Sequence, residues 1–393
     1  MSLKADIVII GGGVMGVSIA HHLARFSAGK IVLVEKRHIG AGSSGKSGAI
    51  IRQHYSTSLL VSMAREGVLT FRDFEGSTQA HSGWNNVGCM IIASEADRAA
   101  AEGNVRIMQE AGAIAEVREG LALNEVAPMA SFSDDEIGAW EPEAGYVDPA
   151  LVLHGYAESA KRAGVRIETD TEVIDVELDR GKVQAVVTSA GRIETRTAVL
   201  CAGPWARRLA ARAGIELPLH VVRPQLALFR RSGDFGSADH PVFGDLRNGF
   251  YCRPDPGGRT LVGALDISED EVISNPDSYD ETSAPEFLSW AHDRVTRRMP
   301  DMRRAFGRGG YSGLYTMTPD SHPILGKAPA VNGLYLAVGF SGHGFKLSPA
   351  VGKGLAELIT TGAYQSLDLS PLRATRFAEG EAIRSSYEYG LLS

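Results

Sequence analysis

The stretch from Asp6 to Glu35 constrains the fold more than any other. Gly11-Gly12-Gly13-Val14-Met15-Gly16 stands between two apolar runs, Ile7-Val8-Ile9-Ile10 and Ile31-Val32-Leu33-Val34. Such runs, rich in β-branched residues and without polar alternation, read as strands buried on both faces, as in a parallel sheet. After the glycines the apolar spacing becomes helical as far as about Phe26. Strand, glycine turn, helix and strand follow one another within about 30 residues, the context that lifts G-x-G-x-x-G above a chance match. Gly11 permits the tight turn, Gly13 lets the backbone approach a pyrophosphate, and Gly16 lets the helix pack closely on the strand. The helix start at Val14 and Met15 presents free N–H groups and a partial positive charge to the phosphates. Glu35, followed by Lys36, ends the second strand, where a carboxylate accepts hydrogen bonds from a ribose diol.

Charge and composition remove several alternatives. The 393 residues carry 40 Lys plus Arg against 47 Asp plus Glu, a net charge of −7 with no basic run, which argues against a nucleic-acid partner. A 44% hydrophobic and 22% charged chain of this length is globular and expected to form two domains. The longest uncharged apolar stretch, Ile7 to Ala20, contains three consecutive glycines and falls short of the roughly 20 residues that span a bilayer. Neither a membrane span nor a secretory signal is expected. Cys89, Cys201 and Cys252 lie far apart and form neither a disulfide framework nor a metal motif, so inert thiols in a reducing cytoplasm and no metal site are the expectation.

Further along, helical patterns cover 95–113, 119–129 and 149–163, and a strand follows at Val165 to Glu168. Glu172 to Glu177 with Lys182 to Ser189 reads as a hairpin, and Thr197 to Cys201 as a short strand running into Ala202-Gly203-Pro204-Trp205. Alternation over 219–265 suggests an antiparallel sheet. Near the end, Gly333 to Val338 is a strand leading into Gly339-Phe340-Ser341-Gly342-His343-Gly344-Phe345-Lys346. A helix then runs to about Thr361 with Gly362 as its C′ residue, and Ser348-Pro349 offers an alternative N-cap and first turn. A second glycine-rich strand-to-helix junction at the far end argues against a nicotinamide dehydrogenase, which completes its cofactor fold in one block.

These motifs, with Gly40 to Gly45, Ile50-Ile51-Arg52 and Tyr315 to Asp320, make the chain similar to the FAD-dependent amino acid oxidoreductases of the D-amino acid oxidase superfamily. The sarcosine oxidase and dimethylglycine dehydrogenase branch resembles it most. The resemblance implies an α/β protein with an α+β second domain. A Rossmann-like FAD-binding domain would be assembled from segments 1–80, 145–218 and 311–393, and a substrate domain on a mixed, largely antiparallel sheet from 81–144 and 219–310.

The same resemblance assigns roles. Gly42, Ser43, Ser44, Lys46, Ser47 and Gly48 would follow the pyrophosphate and flavin, Val173 the adenine, with Ala202, Gly203 and Trp205 as further cofactor contacts. Gly342, His343, Gly344, Phe345 and Lys346 would lie at the pyrimidine end of the ring, where main-chain N–H groups stabilise negative charge. Arg52 and Lys346 would hold a substrate carboxylate. The residues agree for Lys346, because a cation beside a helix N-terminus is disfavoured by about 0.3–1 kcal/mol unless something anionic compensates. Tyr315 is a candidate pocket wall or ordinary core, and His54 and Tyr55 are candidate lining or structural residues.

The implied reaction is oxidation of a small amino acid or N-methyl amino acid, such as sarcosine, dimethylglycine, glycine or a proline-like compound, by hydride transfer to flavin N5 and hydrolysis of the imine. Relatives attach flavin through a cysteine two residues before the tyrosine matched by Tyr315, or through a histidine at the position of Lys46. Here the first position is Gly313, so non-covalent FAD is expected. The lysine that assists oxygen in monomeric sarcosine oxidases falls on Leu261, with Arg253 and Arg259 nearby. That favours a dehydrogenase that passes electrons to a quinone or an electron-transfer protein. A non-catalytic or regulatory flavoprotein subunit of an amine-oxidising complex is the alternative.

Overall fold

The computed structural model describes residues 3–233, 239–268 and 270–385. The outermost residues of the expected first and last segments, 1–2 and 386–393, and residues 234–238 and 269 of the expected second substrate segment lie outside it.

The two apolar runs form neighbouring parallel strands, Ile7–Ile10 and Ile31–Val34, in register Ile7↔Ile31 to Ile10↔Val34, and every residue of both is buried. They stand in a six-stranded sheet of order Ile324–Lys327, Leu334–Val338, Thr197–Leu200, Ile7–Ile10, Ile31–Val34, Arg166–Glu168. All its neighbours are parallel except the first two. Burial on both faces has two separate partners. Ile7, Ile9, Ile31 and Leu33 join the core beneath the helices Val14–Arg25, Pro149–Arg162 and Gly344–Thr361. Val8, Ile10, Val32 and Val34 pack instead against the meander Val173–Asp179, Lys182–Thr188, Gly191–Glu194.

Local chemistry sets the helix ends. Asp148 caps Pro149–Arg162 by accepting from Ala150 N (2.8 Å) and Leu151 N (3.1 Å), with proline in the first turn where its missing N–H costs nothing. The C-terminal helix starts at Gly344, so Ser348 and Pro349 lie inside it rather than at its start. Pro349 cannot donate to the Phe345 carbonyl, and the Ser348 hydroxyl donates there in its place at 2.8 Å. The helix ends on Gly362 at φ +86°, the left-handed cap expected of it.

The other half is built on an eight-stranded sheet of order Phe306–Ser312, Gln225–Arg230, Arg259–Ala264, Phe250–Asp255, Val242–Asp245, Cys89–Ser94, Glu136–Glu141, Glu116–Glu119. Its one parallel pair is Val242–Asp245 with Cys89–Ser94, which makes it mixed and largely antiparallel. Met90, Ile92, Phe229, Phe243, Phe250 and Val262 face a core shared with the helix Pro285–Arg298. Cys89, Ile91 and Val242 alternate to the opposite face and join the core of the dinucleotide half. A short pairing, Ile50↔Tyr146 and Ile51↔Gly145, delivers the following residue, Arg52, to that boundary. No helix among the described residues is long and apolar enough to cross a membrane.

Candidate functional site

An elongated cleft with about 1470 Å³ of atom-free space, open mouth included, runs along the carboxyl ends of the parallel strands. Glu35, Lys36 and Val173 line it, as do Ser43, Ser44 and Lys46, and Tyr315, Gly342 and Phe345. The glycines separate by role. Gly11 sits at φ +111°, and a Cβ on Gly16 would come within 1.9 Å of the Gly11 carbonyl oxygen, so these two shape the turn and the helix–strand contact. A Cβ on Gly13 would meet only Ser44 Oγ, at 3.1 Å, and Gly13 lines the cleft. Smallness at Gly13 therefore serves whatever occupies the cleft.

The remaining chemistry fits a dinucleotide. The helix Val14–Arg25 has no acidic residue in its first turn, so its positive end is left for an anion. Ser44 Oγ accepts from Val14 N at 3.0 Å and ties the 43–46 turn to that helix end. Glu35 accepts from Gly12 N (2.7 Å) and Arg37 N (2.9 Å), one bond to each carboxylate oxygen, which fixes the group and leaves acceptor capacity on both oxygens. FAD would be held along this cleft, its adenosine at the Glu35 end and its ring at the Tyr315 end.

A second cavity, about 630 Å³ with its mouth, shares Ser47, Tyr315, Gly342 and Phe345 with the first. Arg52 and Lys346 both line it, buried at 5% and 7% exposure. Arg52 donates to the His54 carbonyl and lies 4.8 Å from the centre of the Tyr55 ring; Lys346 Nζ lies 5.8 Å from the same centre. Burial, and then the Arg52 charge, hold the Lys346 ammonium well below the usual lysine range. Glu141, the buried carboxylate nearest in kind, is spent on backbone: it accepts from Gln53 N (2.6 Å) and His54 N (3.1 Å). Burial outweighs those bonds and the Arg52 charge and pushes its carboxyl up to about 7. Two cations thus face one small cavity with no carboxylate from the described residues paired to Lys346. The opposite wall is apolar: Ile91, Val242, Phe243 and Leu265, with Cys89.

Most residues singled out from sequence meet here. Gly11, Gly13, Val14, Met15, Glu35, Lys36, Gly42, Ser43, Ser44, Lys46, Ser47, Val173, Ala202, Gly203, Trp205, Gly342, Gly344 and Phe345 line the large cleft. Gly48, Arg52 and Lys346 line the smaller one, and Tyr315 both. Four do not reach either lining, among them Tyr55, which is fully buried against Arg52, Lys346 and His343. Gly16 is taken up by helix packing. His54 is fully buried behind Arg52, 3.2 Å from Asn104 Nδ2, and burial brings its ring down to about 3. His343 lies with its ring centre 5.5 Å from that of Tyr55, tilted by 39°, and does not line the cofactor cleft. Reading the sequence missed Tyr251, which lines the smaller cavity, hydrogen-bonds to Tyr315 and lies against Gly263, its cross-strand partner. Strand alternation through Tyr251, Arg253 and Asp255 carries the signal, although nothing local says which face looks inward.

Burial separates the two cations near Leu261. Arg253 pairs with Leu261 and points inward, where it donates to the Gly48 carbonyl (2.6 Å) and bonds Asp255 (3.0 Å). Arg259 turns outward to Asp255 at 2.7 Å.

Comparison with known proteins agrees with this geometry. The family described as "FAD dependent oxidoreductase" (DAO) matches residues 6–358. The mouse mitochondrial pyruvate dehydrogenase phosphatase regulatory subunit is 27% identical over 97% of this chain and 44% of its own length. Monomeric sarcosine oxidase of Streptomyces avermitilis is 27% identical over 92% of this chain and 95% of its own. The chain thus spans less than half of the first of these relatives and nearly all of the second. Among solved structures, L-proline dehydrogenase from P. horikoshii superposes with a TM-score of 0.89 at 27% identity, over 98% of this chain and 100% of that one.

Proposed function

We propose that this chain, which belongs to the FAD-dependent oxidoreductase family, oxidises a small amino acid or N-methyl amino acid at its C–N bond. The observation that carries the reading is the pair of buried cations, Arg52 and Lys346, in a cavity continuous with the cofactor cleft. A substrate carboxylate supplies the anion that compensates Lys346 and is gripped by the Arg52 fork. Bound FAD supplies the two-electron acceptor in this chemistry. The protein's own part is positioning: Arg52 orients the carboxylate through its planar fork, Lys346 fixes it as a point charge, and the Tyr251–Tyr315 pair walls the space beside it. Ile91, Val242 and Leu265 keep the reacting carbon out of water. The substrate loses two electrons and two protons overall, and the imine is hydrolysed by water.

We take FAD to be non-covalent. Gly313 and Lys46 occupy the two positions at which relatives carry an attachment residue, and a Cβ on Gly313 would lie 3.7 Å from Lys46 Cβ. The acceptor in this reading is a quinone or an electron-transfer protein, and the compartment is the cytoplasm. One observation favours a second reading, a non-catalytic subunit: a relative matched over most of this chain is named a regulatory subunit. Anaerobic addition of sarcosine, glycine, proline and dimethylglycine to the purified flavoprotein decides between them. The first reading expects bleaching of the flavin band by at least one. No bleaching by any member of a broader amino acid panel overturns it.

A further inference from the structure

Among the described residues, 270–283 have almost no regular structure, yet their bonds are ordered along the cofactor cleft. At one end Arg223 N donates to the Glu271 carbonyl (3.0 Å) and Ile273 N to the Val221 carbonyl (2.8 Å). At the other, the Arg223 side chain donates to the carbonyls of Asp280 and Thr282, both at 2.6 Å, and Ser312 N to that of Glu281 at 2.8 Å. These anchors hold residues 280–282 to the edge strand of the eight-stranded sheet at Ser312 and residues 271–273 to the strand His220–Val222, which pairs with Tyr315–Met317. The loop between them, 274–279, reaches the dinucleotide half through side chains.

Asp277 makes the reach. Its Oδ1 accepts from Lys36 Nζ and from Trp205 Nε1 (2.8 Å), and its Oδ2 lies 3.6 Å from Arg208. All three partners line the Glu35 end of the cleft, whereas Asp277 stands outside it. Lys36 Nζ also lies 5.0 Å from the centre of the Trp205 ring, so one carboxylate sets the geometry of a cation–aromatic pair. The second tether is Tyr279, whose hydroxyl accepts from Lys46 Nζ at 2.7 Å further along the same cleft. Asn275 Oδ1 accepts from Asp277 N (3.1 Å), which shapes the loop tip locally and leaves it independent of the sheet.

We propose that residues 274–279 form a latch on the adenosine half of the cleft, fastened by Asp277 to Lys36, Trp205 and Arg208, that must open for FAD to enter or leave. The anchors on either side are backbone and Arg223 contacts that do not involve Asp277 or Tyr279, so opening breaks the Asp277 and Tyr279 contacts without unfolding either sheet. The pairs are partly solvated, with side-chain exposures of 34% for Asp277 and 30% for Lys36, so salt loosens the latch.

The test is the rate of flavin release from the holoenzyme, followed by recovery of free-flavin fluorescence. Raising ionic strength from about 0.1 M to about 1 M shortens the screening length from about 10 Å to about 3 Å and should speed release from the wild type about threefold or more. D277N should release flavin at low salt about as fast as the wild type does at high salt and respond little to added salt, while D293N, which breaks the remote Arg297 pair, should behave as wild type. Salt-independent release from the wild type, or a D277N rate equal to wild type, overturns the latch. Flavin that stays with the acid-denatured chain overturns it too, because a covalent cofactor has no exchange to gate. The wild-type salt arm stands whether or not D277N folds.

Discussion

Lys346 shows how one residue's surroundings specify its task. It sits in the first turn of a helix with no acidic residue there, beside Arg52, and almost out of water. Each of these disfavours an ammonium, and an incoming carboxylate relieves all of them together. Removing one partner of such a desolvated pair typically costs about 2–5 kcal/mol. Arg52→Met and Lys346→Met should therefore each lower kcat/KM by more than about tenfold with flavin content unchanged, and wild-type kinetics in either variant removes that residue from the site. The depressed ammonium adds a pH signature. Free enzyme loses this proton at lower pH than an ordinary lysine would, so kcat/KM should carry a descending alkaline limb that Lys346→Met lacks. Leu261 bears on the acceptor. It is 1% exposed and a Cβ on Gly48 would lie 3.3 Å from its Cδ2, while the inward cation Arg253 is bound to the Gly48 carbonyl and Asp255. With that charge already paired, oxygen gains little electrostatic help. Reduced flavin should reoxidise slowly in air and quickly with a dye; rapid stoichiometric hydrogen peroxide without gain from the dye refutes this.

Among the elements, the glycine turn allows cofactor binding and folding to be separated by two substitutions. In Gly16→Ala the new methyl would stand 1.9 Å from the Gly11 carbonyl oxygen, so helix Val14–Arg25 must move off its strand. In Gly13→Ala it would meet only Ser44 Oγ at 3.1 Å, and the backbone there, φ −74° and ψ 179°, suits alanine. Thermal unfolding of the flavin-free proteins should show Gly16→Ala clearly destabilised and Gly13→Ala within about 1 kcal/mol of wild type. Gly13→Ala should nevertheless bind FAD more weakly, and normal affinity would show that the cofactor does not approach this backbone. That turn was legible because its constraints are local: two apolar runs, fixed glycine offsets and a terminal acid. The C-terminal helix was legible in extent but not in its start, because Ser348 replaces the hydrogen bond that Pro349 lacks and so disguises an interior turn as a cap. Tyr251, Glu141 and Asp277 were not legible. Their partners are Tyr315 on a strand of another sheet, the Gln53 and His54 amides, and Lys36 with Trp205, all brought together only by tertiary packing.

For the whole molecule, buried histidines set the response to acid. Burial is the main cause that holds His21 and His240 down to about 4 and His22 and His54 down to about 3, against 6.5 for an unperturbed ring. Below pH 6.5 the unfolded chain takes up protons that the folded chain refuses, so the stability these rings contribute is present above 6.5 and lost as pH falls toward the folded values. Glu141 and Asp270 act oppositely. Burial pushes both up to about 7, so from there down to the unfolded values of 4.5 and 3.8 the folded chain holds protons that the unfolded chain has released. The displacements are of similar size, and four rings outweigh two carboxyls by a net of about two protons near pH 5, a slope of about 2.7 kcal/mol per pH unit. Denaturant unfolding should therefore show stability falling steeply between pH 6.5 and 5. His22→Leu supplies the control. Its Nε2 is sealed from water without a hydrogen-bond partner, so the ring has no polar contact at that atom to lose, and the variant should flatten the slope by about 1.4 kcal/mol per pH unit. Stability that stays level or rises on acidification across that range would mean that the carboxyls, or the open forms of these four sites, dominate instead.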